Sequence, residues 1–160
     1  GPMLFAQVDG QDPGHVFKQP DAERRTYRVT GSAVSSQPLA RIELVSEGEV
    51  VEQLEPANRQ TEAGAYESPL EASFAADHST WLALRCFEDD PDDRVRFAHT
   101  APFHIEAPGA PLRPRRAEAE YLVARVQREI DRSEGVLPPE ALAEYRQALA
   151  YYQELLPTAR

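Results

Sequence analysis

Few residues of this chain carry usable chemistry, and their spacing argues against most uses. The imidazoles are His15, His78, His99 and His104. None pairs as His-x-His or in a His-Glu-x-x-His helix, the spacings that aim two rings at one metal ion. The acidic run Glu88-Asp89-Asp90-Pro91-Asp92-Asp93 offers oxygen ligands of the kind calcium takes. It lacks the regular odd-position spacing of an EF-hand loop and lies between two strand-like runs, so it reads as a solvated hairpin loop. No serine sits in Gly-x-Ser-x-Gly, and no phosphate-cradling Gly-x-Gly-x-x-Gly occurs. Cys86 lies in an apolar strand, where a thiol behaves as a small hydrophobe. The expectation is therefore no catalytic residue, no metal ligand and no cofactor site.

The element that positions what remains is residues 80–87, Thr-Trp-Leu-Ala-Leu-Arg-Cys-Phe. Side chains alternate across a strand, which puts Trp81, Ala83, Arg85 and Phe87 on one face and Leu82, Leu84 and Cys86 on the other. Both sets are mostly apolar, so the strand is expected to be covered on both sides. One cover is the opposing sheet; the other is the C-terminal helical segment or a separate domain. The neighbours Leu82 and Leu84 mark Trp81 as part of a strand in the middle of the sheet rather than a loop tip, which favours burial over stacking on a sugar. His99 follows an inward-reading run and precedes Thr100, which suits packing beneath a loop. Trp81, Arg85, His99 and Thr100 are thus the interface candidates.

Around this strand the period is two. Residues 3–8, 15–17, 26–32, 39–46, 50–54, 70–74, 95–99 and 102–105 read as further strands. In 39–46, Ala40, Ile42 and Leu44 point inward and Arg41 and Glu43 outward, and Gly48 supplies the positive φ of the following turn. Residues 55–64 read as polar loop. The expected class is mainly β: an immunoglobulin-like antiparallel β-sandwich over 1–106, without the Cys…Trp…Cys spacing of true immunoglobulins. Residues 107–116 form a proline-rich extended linker.

Beyond it the period becomes helical. Ala119, Leu122, Val123, Val126 and Ile130 make one stripe, and Leu142, Tyr145, Leu149, Tyr152 and Leu156 a second. Gly135 suits the end of the first helix, and Pro138-Pro139 the first turn of the second. Pro157 ends it. Residues 117–157 are expected to form an antiparallel helical hairpin packed on the sandwich or on a partner.

Composition narrows the partners. The chain has 160 residues, 41% of them apolar, enough for one real core. Its lone cysteine excludes an internal disulfide and leaves the compartment open. No run of 18 apolar residues exists, so no membrane span is expected. Residues 1–106 hold 19 acidic against 9 basic side chains, whereas 107–160 hold 8 of each. The acidic excess argues against a phosphate-backbone partner, so no nucleic acid is expected.

Five stretches bear on family. Residues 1–14, Gly-Pro-Met-Leu-Phe-Ala-Gln-Val-Asp-Gly-Gln-Asp-Pro-Gly, come first. Arg41-Ile42-Glu43-Leu44-Val45 through Gly48-Glu49-Val50-Val51, Trp81-Leu82-Ala83-Leu84-Arg85, and Ala98-His99-Thr100-Ala101-Pro102 follow in order. The tail from Glu120-Tyr121 to Tyr152 completes the set. Together they resemble the C-terminal region of CehA/McbA-type metallohydrolases, enzymes with a polymerase-and-histidinol-phosphatase (PHP) metal-binding domain. Two departures are the Glu47-Gly48 turn where Asn-Gly is the family pattern, and a longer acidic run after Phe87. The resemblance implies that the metal ligands lie in a preceding domain, and no position here matches them. The implied function is a non-catalytic accessory domain docked on that hydrolase domain. The alternative is a sandwich that binds carbohydrate or protein independently.

Overall fold

The computed structural model describes residues 1–89 and 94–160. The chain divides into two units, Gly1–Leu112 and Arg113–Arg160. The protein is mainly β, with two sheets followed by helix.

The first unit contains β1 (Met3–Val8), β2 (Val16–Lys18), β3 (Arg25–Ser35), β4 (Leu39–Ser46) and β5 (Glu49–Leu54). These are followed by β6 (Arg59–Gln60), β7 (Tyr66–Ala76), β8 (Thr80–Glu88), β9 (Phe97–His99) and β10 (Phe103–Glu106). One sheet runs β1-β3-β7-β6; the other runs β2-β10-β8-β4-β5, with β9 also paired to β8. Neighbours are antiparallel apart from β10 and β2, which are parallel. Both sheets feed a single buried cluster. Tyr27, Val29 and Leu70 come from the first; Ile42, Leu44, Leu82, Leu84, Cys86 and Phe103 from the second. Removing one such side chain from water is worth about 2 kcal/mol, so this shared face holds the unit together.

Burial along β8 alternates strictly. Leu82, Leu84 and Cys86 are fully buried, whereas Trp81, Ala83, Arg85 and Phe87 are half-buried. The expected two-sided cover is thus complete on the inner face and partial on the outer one. The inner face meets the opposite sheet; on the outer face, flat side chains shield one another.

Two local expectations are corrected. Ala40 is exposed, not inward. The ladder with β8 steps from Leu39↔Glu88 to Arg41↔Phe87, so Ala40 is the extra residue of a bulge and Leu39 takes the inward place. The segment 55–64 is not wholly loop, because Arg59–Gln60 pairs with β7. The β4–β5 turn places both Glu47 (φ 53°) and Gly48 (φ 84°) in the left-handed region, the geometry that matches strand twist in a tight hairpin.

β1 crosses β3 closely at Gly31. A Cβ built there would lie 2.0 Å from the carbonyl oxygen of Phe5, a backbone atom that cannot swing aside. Gly31→Ala is therefore expected to cost about 2–3 kcal/mol, read from urea unfolding midpoints. A loss within about 0.5 kcal/mol would show that β1 yields freely at this crossing.

The second unit holds α1 (Arg116–Ser133), α2 (Pro139–Leu155) and a 3-10 turn, Leu156–Thr158. Gly135 takes a positive φ of 75° after α1, and the Ser133 carbonyl accepts from the amides of Val136 and Leu137. The two helices touch, and Ala119, Ile130 and Leu142 are buried. Leu122 and Tyr145 depart from their expected stripes and are exposed. α2 stops at Leu155, and the chain carries on through Pro157 in the tighter turn. Among the described residues no helix is long and apolar enough to cross a membrane.

Candidate functional site

In-register partners on neighbouring strands put their side chains on the same face. Across β4, β8 and β9 the register pairs Glu43 with Arg85 and Arg85 with His99. It also pairs Arg41 with Phe87 and Phe87 with Phe97. The outer face therefore carries two parallel rows, Glu43–Arg85–His99 and Arg41–Phe87–Phe97.

Within this patch Glu43 is the buried member, 5% exposed. One carboxylate oxygen accepts from Arg41 Nε at 2.7 Å and the other from Arg85 Nε at 2.5 Å. The arginine side chains are 40% and 39% exposed. The Arg41 guanidinium carbon lies 3.9 Å from the centre of the Phe87 ring, and that of Arg85 5.4 Å from it. Phe87 stacks on Phe97 at 5.8 Å, and Phe97 on His99 at 6.0 Å. Phe97 is 53% exposed. His99 Nδ1 lies 3.0 Å from the Thr100 carbonyl, which can only accept, so Nδ1 carries the proton.

The sequence-derived candidates separate in space. Arg85 and His99 stand side by side. Trp81 shares their face but sits four residues along β8, about 13 Å from Arg85 at strand rise, in register with His104 of β10. Thr100 is buried in the seam between β9 and β10 rather than on the face. Its amide donates to the Leu84 carbonyl at 2.9 Å, and its Oγ1 accepts from the Leu84 amide at 3.1 Å. It thereby satisfies Leu84 where the chain jogs between strands. Arg41, Glu43, Phe87 and Phe97 complete the patch; alternation puts Phe87 on the face of Arg85, but only the strand register brings Arg41, Glu43 and Phe97 to it. The outward alternation of Arg41 and Glu43 was the available signal; the pairing of β4 with β8 was not.

Other polar groups serve the fold. Glu88 is buried, accepts from the Ser35 hydroxyl and lies 3.8 Å from Arg96. Residues 90–93 of the acidic run lie outside the described residues. His78 bridges Asp77 at 2.7 Å and Glu47 at 3.3 Å, and its hydrogen bond holds the Asp77 carboxyl below its usual range. Burial pushes the Cys86 thiol upward, away from the reactive thiolate. Among the described residues no three His, Cys, Asp or Glu side chains gather where a metal ion could be held. No protein-family model matches the chain, and no curated protein matches it.

The charge state of the patch has a definite sign. Burial alone would raise the Glu43 carboxyl, but hydrogen bonds from Arg85 and Arg41 and their positive charges outweigh it. The net effect lowers it below its ordinary value of 4.5. A carboxyl depressed by folding contributes stability above its unfolded value, and that contribution is lost as pH falls through the folded one. Glu43→Gln is expected to cost about 1–3 kcal/mol at neutral pH, at the lower end for a buried pair because both cations are partly solvated. The gap between wild type and Glu43→Gln should close as pH drops below 4.5, measured by denaturant midpoints at stepped pH. A gap that stays constant through that range would contradict the assignment.

The seam makes its own prediction. Thr100→Val keeps the shape but strips the acceptor from a buried amide, and should cost about 1–3 kcal/mol in unfolding free energy. Hydrogen exchange of the Leu84 amide should accelerate in step, which an unchanged exchange rate would refute.

Proposed function

We propose that this chain is a non-catalytic accessory domain that docks on a PHP-type metal-dependent hydrolase domain preceding it in the same polypeptide. Its first unit is an immunoglobulin-like sandwich and its second an antiparallel helical hairpin. Support for the sandwich comes from strand order: β1-β3-β7-β6 opposite a sheet centred on β10-β8-β4 follows the ABED and CFG arrangement of that architecture. Support for the hairpin comes from the touching helices and from Arg160, whose backbone exchanges hydrogen bonds with Pro114 and Arg116.

The observation that carries docking is the two-row patch. Aromatic rings and arginines are the side chains enriched where proteins meet. Here they lie on a rigid sheet face, with one ring more than half exposed. Assayed alone with divalent metals on phosphodiester and ester substrates, the chain should show no turnover. Metal-dependent turnover that co-purified with it would overturn the reading.

The independent-binding alternative rests on Trp81. A sugar platform needs an open ring, whereas Trp81 is half-buried near the start of β8. Its emission should be blue-shifted and its quenching well below that of free indole. Red-shifted, fully quenchable emission would favour the sugar-binding alternative.

A further inference from the structure

We propose that Arg41 and Arg85 form a clamp for a single carboxylate, an Asp or Glu side chain of the docked protein segment, with Phe97 taking the apolar residue beside it. This rests on the docking reading and names the chemistry of the partner. The argument begins with what Glu43 does to the two guanidinium groups. Each directs its Nε–H to a different oxygen of that buried carboxylate. A guanidinium has five N–H donors in a fixed plane, so fixing Nε also fixes the direction of the four on Nη1 and Nη2. Among the described residues these Nη groups have no protein acceptor, and both side chains reach solvent. Phe87 beneath Arg41 restricts the remaining freedom of that plane. Donors held in place before a ligand arrives lose little entropy on binding.

Charge selects the ligand. Two guanidinium groups and one carboxylate leave the cluster with a surplus of one positive charge, which one carboxylate neutralises. The neighbour in register on β5 is Gln53, which adds no charge. A phosphate dianion would overshoot the surplus, and a polyanion would meet the repulsion of a chain with net charge −10. A single carboxylate carried on an otherwise uncharged segment meets neither objection. The Phe87–Phe97–His99 stack flanks the clamp on the β9 side and offers ring surface to whatever adjoins that carboxylate.

The test uses the folded chain and 3-phenylpropionate, which joins a carboxylate to an apolar ring, followed by the arginine Nε–H and Phe97 resonances in NMR titrations. Saturable shifts are expected at Arg41, Arg85 and Phe97, with acetate binding several-fold more weakly and 3-phenylpropanol and inorganic phosphate weaker still. Arg85→Gln should lower the affinity about tenfold, the worth of one charge-assisted pair, whereas Arg28→Gln on the other sheet should leave it unchanged. Arg85→Lys should fall between them, because it keeps the charge and loses the planar fork. Glu43→Gln separates aim from charge: added positive charge alone would tighten binding, whereas loss of aim weakens it, and weakening is expected. Absence of saturable shifts, equal affinity in Arg85→Gln, tighter binding of phosphate, or tighter binding by Glu43→Gln would each overturn the clamp. A silent titration on a catalytically inert chain removes the clamp and leaves docking intact. Turnover by the isolated chain removes the accessory-domain reading whatever the titration shows.

Discussion

β8 has four neighbours' worth of demands on one register. Its inner side chains must meet the opposite sheet, its amides must pair with β4 on one side, and β9 and then β10 must share the other. A slip of one residue would turn Leu82, Leu84 and Cys86 outward and bring Trp81, Arg85 and Phe87 into the core. That exchange would bury a guanidinium among aliphatic side chains, a cost of several kcal/mol that no alternative pairing repays. The bulge at Ala40 and the jog at Thr100 follow from this constraint. Each absorbs one residue at a point where the neighbouring chain would otherwise fall out of phase.

The outer patch inherits its geometry from that register. Glu43, Arg85 and His99 align because three strands are in phase, and Arg41, Phe87 and Phe97 align one pair further along. A carboxylate beneath two arginines then solves a problem specific to an acidic chain. With a net charge of −10, exposed arginines are easily drawn to the nearest acidic side chain. Glu43 occupies their Nε groups from below, which holds the guanidinium planes against the sheet. The ring of Phe87 completes the support.

Much of the fold was legible because periodicity reports burial. The runs 3–8 and 39–46 read as strands are those of β1 and β4, although the alternation within β4 misplaces Ala40, and the change to a helical period after the proline-rich stretch marks α1 and α2. Illegible were features that depend on pairing. Nothing in Leu39-Ala40-Arg41 says that two successive residues face outward; the bulge exists because β8 is the partner. Residues 59–60 read as loop because two polar side chains carry no alternation, yet their backbone pairs with β7. Glu43 reads as a solvated outward charge, and is buried because two arginines arrive from its own strand and the next. Of the interface candidates, Arg85 and His99 share a row, whereas Thr100 turned inward because a buried amide needed its hydroxyl. Spacing along the chain can nominate such residues, but only register across strands groups them.

The parallel pairing of β2 with β10 has a consequence for how the chain is made. The N-terminal segment leaves the first sheet at Val8 and enters the second at Val16, where its partner residues 104–106 are almost ninety positions away. Closing so long a separation is slow, because loop entropy must be overcome before the contacts give any return. A chain emerging from the ribosome can build β3 onto β7 and β4 onto β5 early. It cannot complete the second sheet until β10 has cleared the exit tunnel. Until then β2 and the β10 side of β8 expose unpaired edge, and a translating chain is vulnerable there to pairing with a neighbour.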